Sequence, residues 1–156
     1  MSEESYTSAM MTYYESGVFF KAVADKLGLE KAMELHQDAY AIFGGGMETM
    51  LKEQPQEGVD LQALVEGMVE GLGAQGFTSE FVKKDADTMI IRNTKCPRYD
   101  GMKMAGHSDE VIKEHCLRGV RVLEKHLQNV DPEFKFDVPV WDAPNGLCDE
   151  VFKLKK

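Results

Sequence analysis

The spacing of apolar residues changes along this chain, and the change fixes its fold class. Up to about residue 73 the apolar side chains recur every three or four positions, as on helices. From Phe77 onward, several segments instead alternate between apolar and polar residues, as in strands with one buried face. Helices kept apart from antiparallel strands predict an α+β fold. We expect a single domain over 1–156, helical over 6–73, with an α+β, cysteine-bearing part over 77–154.

The first half predicts three helices. The first spans Tyr6 to Leu27 and ends at Gly28, and the second begins at Leu29 with one apolar stripe. Gly44-Gly45-Gly46 interrupts that stripe, so the helix ends there, kinks, or is closely approached by another backbone. Gln54–Gly58 is a predicted linker, and Asp60 starts a third helix that ends near Leu72.

The second half predicts two antiparallel hairpins that bracket one long helix, which packs on the sheet. Polar turns join the strands of each hairpin, and Ser108 is the predicted N-cap of the helix. The strands are predicted at Thr78–Lys84, Thr88–Thr94, Phe134–Trp141 and Leu147–Leu154, and the helix from Ser108 to about Leu127.

Charge narrows the range of partners. The formal net charge of −9 disfavours binding to nucleic acids and to anionic membrane surfaces. Acidic residues near the start, the lack of a membrane-spanning apolar run and an odd number of cysteines predict a cytoplasmic protein with reduced thiols. The partners left to consider are a small-molecule ligand and a second copy of the chain. The ten methionines are expected to be adaptable core packing, and the alternative is that they line an apolar pocket or an oligomer face.

Three cysteines lie far apart in the second half of the sequence. Cys116 shares a helical face with Ile112 and Leu127, and Cys148 shares a strand face with Phe152, so both are predicted to point into the helix–sheet interface. Cys96 follows a strand end, where Pro97 restricts the backbone. The cysteines either converge on one site or are three separate buried thiols.

A convergent set of thiols is compatible with catalysis or with metal binding. Catalysis needs an activated thiol, and His107 is the first candidate base, with His115 the second. His36 is expected to be a hydrogen-bonded core residue and His126 to be exposed. The alternative is a zinc or iron ion held by the thiolates of Cys96, Cys116 and Cys148, although no paired C-x2-C spacing is present.

Several short motifs resemble those of the L-2-amino-thiazoline-4-carboxylic acid hydrolase-like family over roughly 17–154. The motifs are Lys95-Cys96-Pro97-x-Tyr99, Gly106 ahead of the helix that bears Cys116, Gly146-x-Cys148, and the helical lead from Phe19-Phe20-Lys21-Ala22 to Gly28-Leu29-Glu30-Lys31-Ala32. The resemblance implies a small α+β domain that adds water to a 2-amino-thiazoline ring and opens it to a carbamoyl-cysteine. After Cys116 this chain has Leu117-Arg118-Gly119-Val120, where the family commonly has an acidic residue.

Two functional hypotheses follow. In the first, the chain is a hydrolase for a heterocyclic or amidine-like carboxylate, with Cys96, Cys116, Cys148 and His107 as catalytic residues. Its substrate-binding residues would be Arg98, Arg92, Tyr99 and Glu150, with an arginine holding the carboxylate. In the second, the cysteines line a non-catalytic pocket for a small molecule or a metal, to which the similarity of the closing Gly-x-Cys strand to vinyl-reductase-type ligand-binding domains also points.

Overall fold

The computed structural model describes residues 3–53 and 60–154, and these form an α+β fold. The predicted linker at 54–58 lies outside the described residues. Four antiparallel strands make one sheet in the order β1-β2-β4-β3, and the helices precede and interrupt it. The elements are α1 (Glu3–Leu27), α2 (Leu29–Lys52), α3 (Leu61–Ala74), β1 (Thr78–Lys84), β2 (Thr88–Lys95), α4 (Pro97–Met104), α5 (Asp109–Gln128), β3 (Lys135–Asp142) and β4 (Leu147–Lys153).

The structure confirms the predicted starts of two helices, at Asp60 and at Ser108. The backbone N–H of Ala63 donates to the Asp60 side chain at 3.0 Å, and that of Val111 donates to the Ser108 hydroxyl at 3.4 Å. Each bond satisfies an N–H group that has no partner within its own helix. Between α1 and α2, Gly28 has a φ of 90°, which breaks the helical path as expected.

The triple glycine does not end α2, which continues through it to Lys52. A Cβ placed on Gly44 would lie 2.6 Å from Cδ2 of His126 on α5, whereas one on Gly46 would meet nothing within 4 Å. Gly44 is therefore needed because the His126 side chain packs closely against the backbone of α2. The prediction of an exposed His126 is wrong, because its Nδ1 lies 2.8 Å from Glu48 Oε2 and its side chain is only 22% exposed.

The register of the two central strands decides which side chains face the helices. Asn93 on β2 pairs with Cys148 on β4, and Ile91 pairs with Glu150. Paired residues in an antiparallel sheet project from the same face, so all four belong to the face that carries buried Phe152. Arg92 and its partner Asp149 consequently project from the opposite face.

Two apolar clusters fill the interior. The first joins the inner face of the sheet to α3 and α5, and the second joins α1, α2, α4 and α5. The buried members of the first are Leu51, Val65, Met89, Ile91, Leu127, Phe134, Phe136, Phe152 and Leu154, and those of the second are Phe20, Ala32, Met33, Met102 and Ile112.

Helix α4 is absent from the sequence prediction, which placed Cys96 and Pro97 only after the end of a strand. The helix has eight residues, with Pro97 in its first turn and Cys96 as its N-cap. A Cβ on Gly101 would lie 2.6 Å from the carbonyl oxygen of Met10, so α4 packs directly against the backbone of α1. This contact sets the position of the residues that follow Cys96. None of the helices in the described ranges is long and apolar enough to cross a bilayer.

Candidate functional site

The three cysteines line one cavity of about 570 Å³ between the helices and the inner face of the sheet. Cys148 enters from β4, Cys116 from α5, and Cys96 from the junction of β2 and α4. The predicted convergence of Cys116 and Cys148 on the helix–sheet interface is confirmed, and Cys96 joins them. We call this space the cysteine cavity.

The thiols in this cavity are held in their protonated form. Burial raises the pKa of Cys96 to about 11, although Arg98 and the Tyr99 N–H, which donates to its Sγ at 3.3 Å, act in the opposite direction. Burial, followed by the neighbouring Cys96, raises the pKa of Cys148 to about 12. Burial also raises the pKa of Cys116. A nucleophilic cysteine requires the thiolate, so these thiols resemble buried hydrophobic groups more than activated ones.

Arg98 places a partly buried positive charge at the edge of the cysteine cavity. Its guanidinium lies over three aromatic rings, 5.4 Å from the ring centroid of Tyr13, 5.9 Å from Phe77 and 6.0 Å from Tyr40. These contacts orient the cation without neutralising it. Among the ion pairs of residues 3–53 and 60–154, none involves Arg98.

Glu150 brings a carboxyl group to the same cavity, and a chain of hydrogen bonds fixes it in place. Asn93 Nδ2 donates to Glu150 Oε1 at 2.8 Å, and the Ser79 hydroxyl donates in turn to Asn93 Oδ1. Burial raises the pKa of Glu150, while Arg98 and the Asn93 hydrogen bond lower it. The cavity thus holds one guanidinium and one carboxyl group among apolar walls and neutral thiols.

Three predicted site residues do not reach the cysteine cavity. His107 Nε2 lies 2.8 Å from the carbonyl oxygen of Gly17, and Arg92 forms a two-point ion pair with Asp149 on the outer face of the sheet. Tyr99 donates its hydroxyl to Asp109. The structure therefore brings together Cys96, Cys116, Cys148, Arg98 and Glu150, and it leaves His107, Arg92 and Tyr99 outside the lining.

A second cavity of about 750 Å³ lies between α1, α2, α4 and α5. Most of its wall is apolar, and His36 and His115 are part of it. The two imidazoles stack with their centroids 3.4 Å apart. The Nδ1 atoms of both are buried without a partner among the described residues, so His36 lacks at this nitrogen the hydrogen bond expected for it. We call this space the α1–α2 cavity.

The adjacent residues His115 and Cys116 on α5 diverge, since His115 lines the α1–α2 cavity and Cys116 lines the cysteine cavity. In the described ranges no three His, Cys, Asp or Glu side chains are grouped as metal ligands would be. We therefore derive no zinc or iron chemistry from the three cysteines.

The polar groups of the cavity that the sequence analysis missed include Asn93 and Trp141. Asn93 is only 4% exposed and follows Met89 and Ile91 on the inner face of β2. A polar residue at an alternate position of an otherwise apolar strand face is a signal of a site, and this signal identifies Asn93 as well as Glu150. Trp141 gave no comparable signal, since aromatic residues are common on strand faces.

The fold and its cavities define an α+β protein with internal space of the size that small molecules occupy, about 300–1,000 Å³. Comparison of the chain with protein-family models, with curated proteins and with solved structures found no match.

Proposed function

We propose that the chain binds a small carboxylate that also carries an amine- or amidine-type cation. The observation that supports this most is the pair of opposite charges in one cavity: the guanidinium of Arg98, which takes part in no ion pair of the described residues, and the hydrogen-bonded carboxyl group of Glu150. A ligand with the complementary pair of charges would satisfy both groups at once.

Arg98 is suited to the carboxylate. A guanidinium is charged at every physiological pH and presents a planar set of donors that matches two carboxylate oxygens. Removing a charge from water is costly, so a carboxylate that binds this partly buried guanidinium gains more than one bound at an exposed arginine. The aromatic rings of Tyr13, Tyr40 and Phe77 limit the orientations of the guanidinium, which lowers the entropy cost of binding.

Glu150 is suited to the cationic end. Asn93 occupies Oε1, which leaves Oε2 available to accept from an N–H group of the ligand. A cation at this position would stabilise the ionised carboxylate against the effect of burial, which raises its pKa.

Binding is measured by calorimetry with L-2-aminobutyrate and with 2-amino-thiazoline-4-carboxylate as probes. We expect Arg98→Met to weaken the binding of both about 10- to 100-fold, the worth of a charge-assisted hydrogen bond. The matched control is Arg92→Met, which removes an arginine from the opposite face of the sheet and should leave affinity unchanged. Glu150→Gln should weaken binding of both probes but not of butyrate, which lacks the amine. Equal affinities for the acids and their amides, or no binding at all, would overturn the proposal.

Hydrolysis of such a ligand is the second candidate, favoured by the position of Cys96. Its Sγ accepts an N–H at the start of α4, and Arg98 lies beside it, which are two features that stabilise a thiolate. Water would add to the ring carbon that carries the amino group, the bond from that carbon to the ring sulfur would break, and a carbamoyl-cysteine with a free thiol would leave.

Release of a free thiol from 2-amino-thiazoline-4-carboxylate tests this second candidate. Turnover that is lost in Cys96→Ser, with binding retained, would support catalysis at Cys96. Turnover that is unchanged in this variant would exclude a catalytic role for Cys96. Binding without any turnover would leave binding as the sole function.

A further inference from the structure

The cysteine cavity and the α1–α2 cavity adjoin, because five residues line both. Arg98 is one of them, together with the side chains that surround it. The shared residues are Tyr13, His36, Ala39, Tyr40 and Arg98. The guanidinium that would hold a carboxylate is thus part of the boundary between the two spaces.

The α1–α2 cavity differs in character from the cysteine cavity. Its inner wall is formed by Phe20, Val23, Ala32 and Met102. Besides Arg98 and the two histidines, its polar residues are Tyr13 and Tyr40, which are partly buried, and Glu15 and Ser16, which are exposed. Burial keeps the two histidines neutral by lowering the pKa of His36 to about 4 and that of His115 to about 2. The inner part of this cavity therefore offers apolar contacts and few charged ones.

We infer that the ligand is an amphipathic α-amino carboxylate with a long apolar side chain. The carboxylate binds Arg98 at the boundary, the amine faces Glu150 in the cysteine cavity, and the apolar chain extends between α1 and α2. This inference rests on the proposed function and specifies the class of ligand. In such a ligand the α-carbon carries the carboxylate, the amine and the apolar side chain. With the carboxylate at the boundary, the amine can therefore enter one cavity and the side chain the other.

Because the α1–α2 cavity is large, the affinity of the ligand should depend measurably on the length of its apolar side chain. Each methylene moved from water to an apolar wall raises affinity about fourfold. Straight-chain L-2-amino acids from 2-aminobutyrate to 2-aminodecanoate are the probes. Their affinity is followed by calorimetry and by the fluorescence of Trp141, the single tryptophan of the chain, which lines the cysteine cavity. We expect the dissociation constant to fall about fourfold per methylene until the cavity is filled.

Two variants test whether the apolar side chain of the ligand occupies the α1–α2 cavity. Leu35→Asp places a charge at the exposed rim of the α1–α2 cavity and should weaken the long probes at least tenfold while sparing 2-aminobutyrate. The matched control is Ile42→Asp, because Ile42 lies on the same helix, is 79% exposed and lines neither cavity. Val23→Phe fills part of the space beside the inner wall. It should remove the extra affinity of the longest probes and leave that of the shorter probes unchanged.

The outcomes separate this inference from the proposed function. Affinity that does not change with chain length, combined with binding of 2-aminobutyrate through Arg98, overturns the inference and leaves the proposed function standing. Long probes that bind equally well to Leu35→Asp and to Ile42→Asp also overturn it. Failure of every probe to bind overturns both.

Discussion

The imidazole rings of His36 and His115 stack with their planes 27° apart, and the edge of Phe20 contacts both. Each ring comes from a different helix, so the pair joins α2 to α5. A stack of this kind is stable only while both rings are neutral, because two adjacent imidazolium ions repel each other in a poorly solvated space.

Protonation of this pair should destabilise the fold. An unfolded histidine has a pKa of about 6.5. Burial, together with Arg98, lowers the pKa of His36 to about 4, and burial, His36 and Arg98 lower that of His115 to about 2. Below pH 6.5 the unfolded state therefore binds more protons than the folded state, and stability falls as the pH falls. Urea unfolding between pH 7 and 5 should show a loss of at most about 2 kcal/mol per histidine.

The variant His115→Phe gives the control for this pH dependence. It keeps a ring against His36 and Phe20 but cannot take up a proton, so its stability should change less between pH 7 and 5 than that of the parent. Carboxylates with a lowered pKa contribute little to the change in unfolding free energy between pH 7 and 5. A carboxylate such as Glu48, whose pKa is lowered to about 2, loses its stabilising effect only nearer pH 4. If the free energy of unfolding of the two proteins changed equally with pH, the histidine pair would not be the cause of the pH dependence.

The glycines of α2 predict opposite effects of the same substitution. Gly44→Ala brings a methyl group within 2.6 Å of the His126 ring and should cost about 1–3 kcal/mol. Gly46→Ala meets nothing within 4 Å and should stabilise the helix by up to about 1 kcal/mol. Thermal or urea unfolding of the two variants beside the parent measures both values. Stabilisation by both substitutions would show that His126 does not press on Gly44.

The sequence predicts most elements of this fold because each has one apolar face with a clear period. Helix α4 escaped prediction because it has only eight residues and owes its position to the packing of Gly101 on the backbone of α1. Such a contact depends on residues that are distant in sequence. The contact between Gly44 and His126 escaped for the same reason.

The same distinction applies to the site. The convergence of Cys116 and Cys148 follows from the faces of one helix and one strand, and alternation along β2 already places Arg92 on the side opposite Asn93. His107 was a candidate base only because it precedes a helix that bears a cysteine. Local sequence does not reveal that the loop turns this ring toward the Gly17 carbonyl on α1.

Asn93 should matter for stability as well as for the orientation of Glu150. Replacing it by Ala leaves Glu150 Oε1 and the Ser79 hydroxyl without their partner in a poorly solvated place, which should cost about 1–3 kcal/mol. The neighbouring Thr94→Ala removes an exposed hydroxyl of the same strand and should have little effect. Urea unfolding compares the two. A similar stability for both variants would mean that the buried hydrogen bonds of Asn93 contribute little.

The raised pKa values of the thiols predict slow alkylation. With the pKa of Cys96 at about 11 and that of Cys148 at about 12, the thiolate fraction at pH 7 is well over 100-fold below that of a free cysteine, whose pKa is about 8.5. Mass spectrometry after treatment with iodoacetamide should find little modification of the folded protein at pH 7 and a rate that rises about tenfold per pH unit toward pH 10. Urea-unfolded protein, in which burial is lost, is the control and should react rapidly at all three cysteines. Rapid and selective modification of Cys96 in the folded protein at pH 7 would instead indicate a thiolate there and would favour hydrolysis over binding alone.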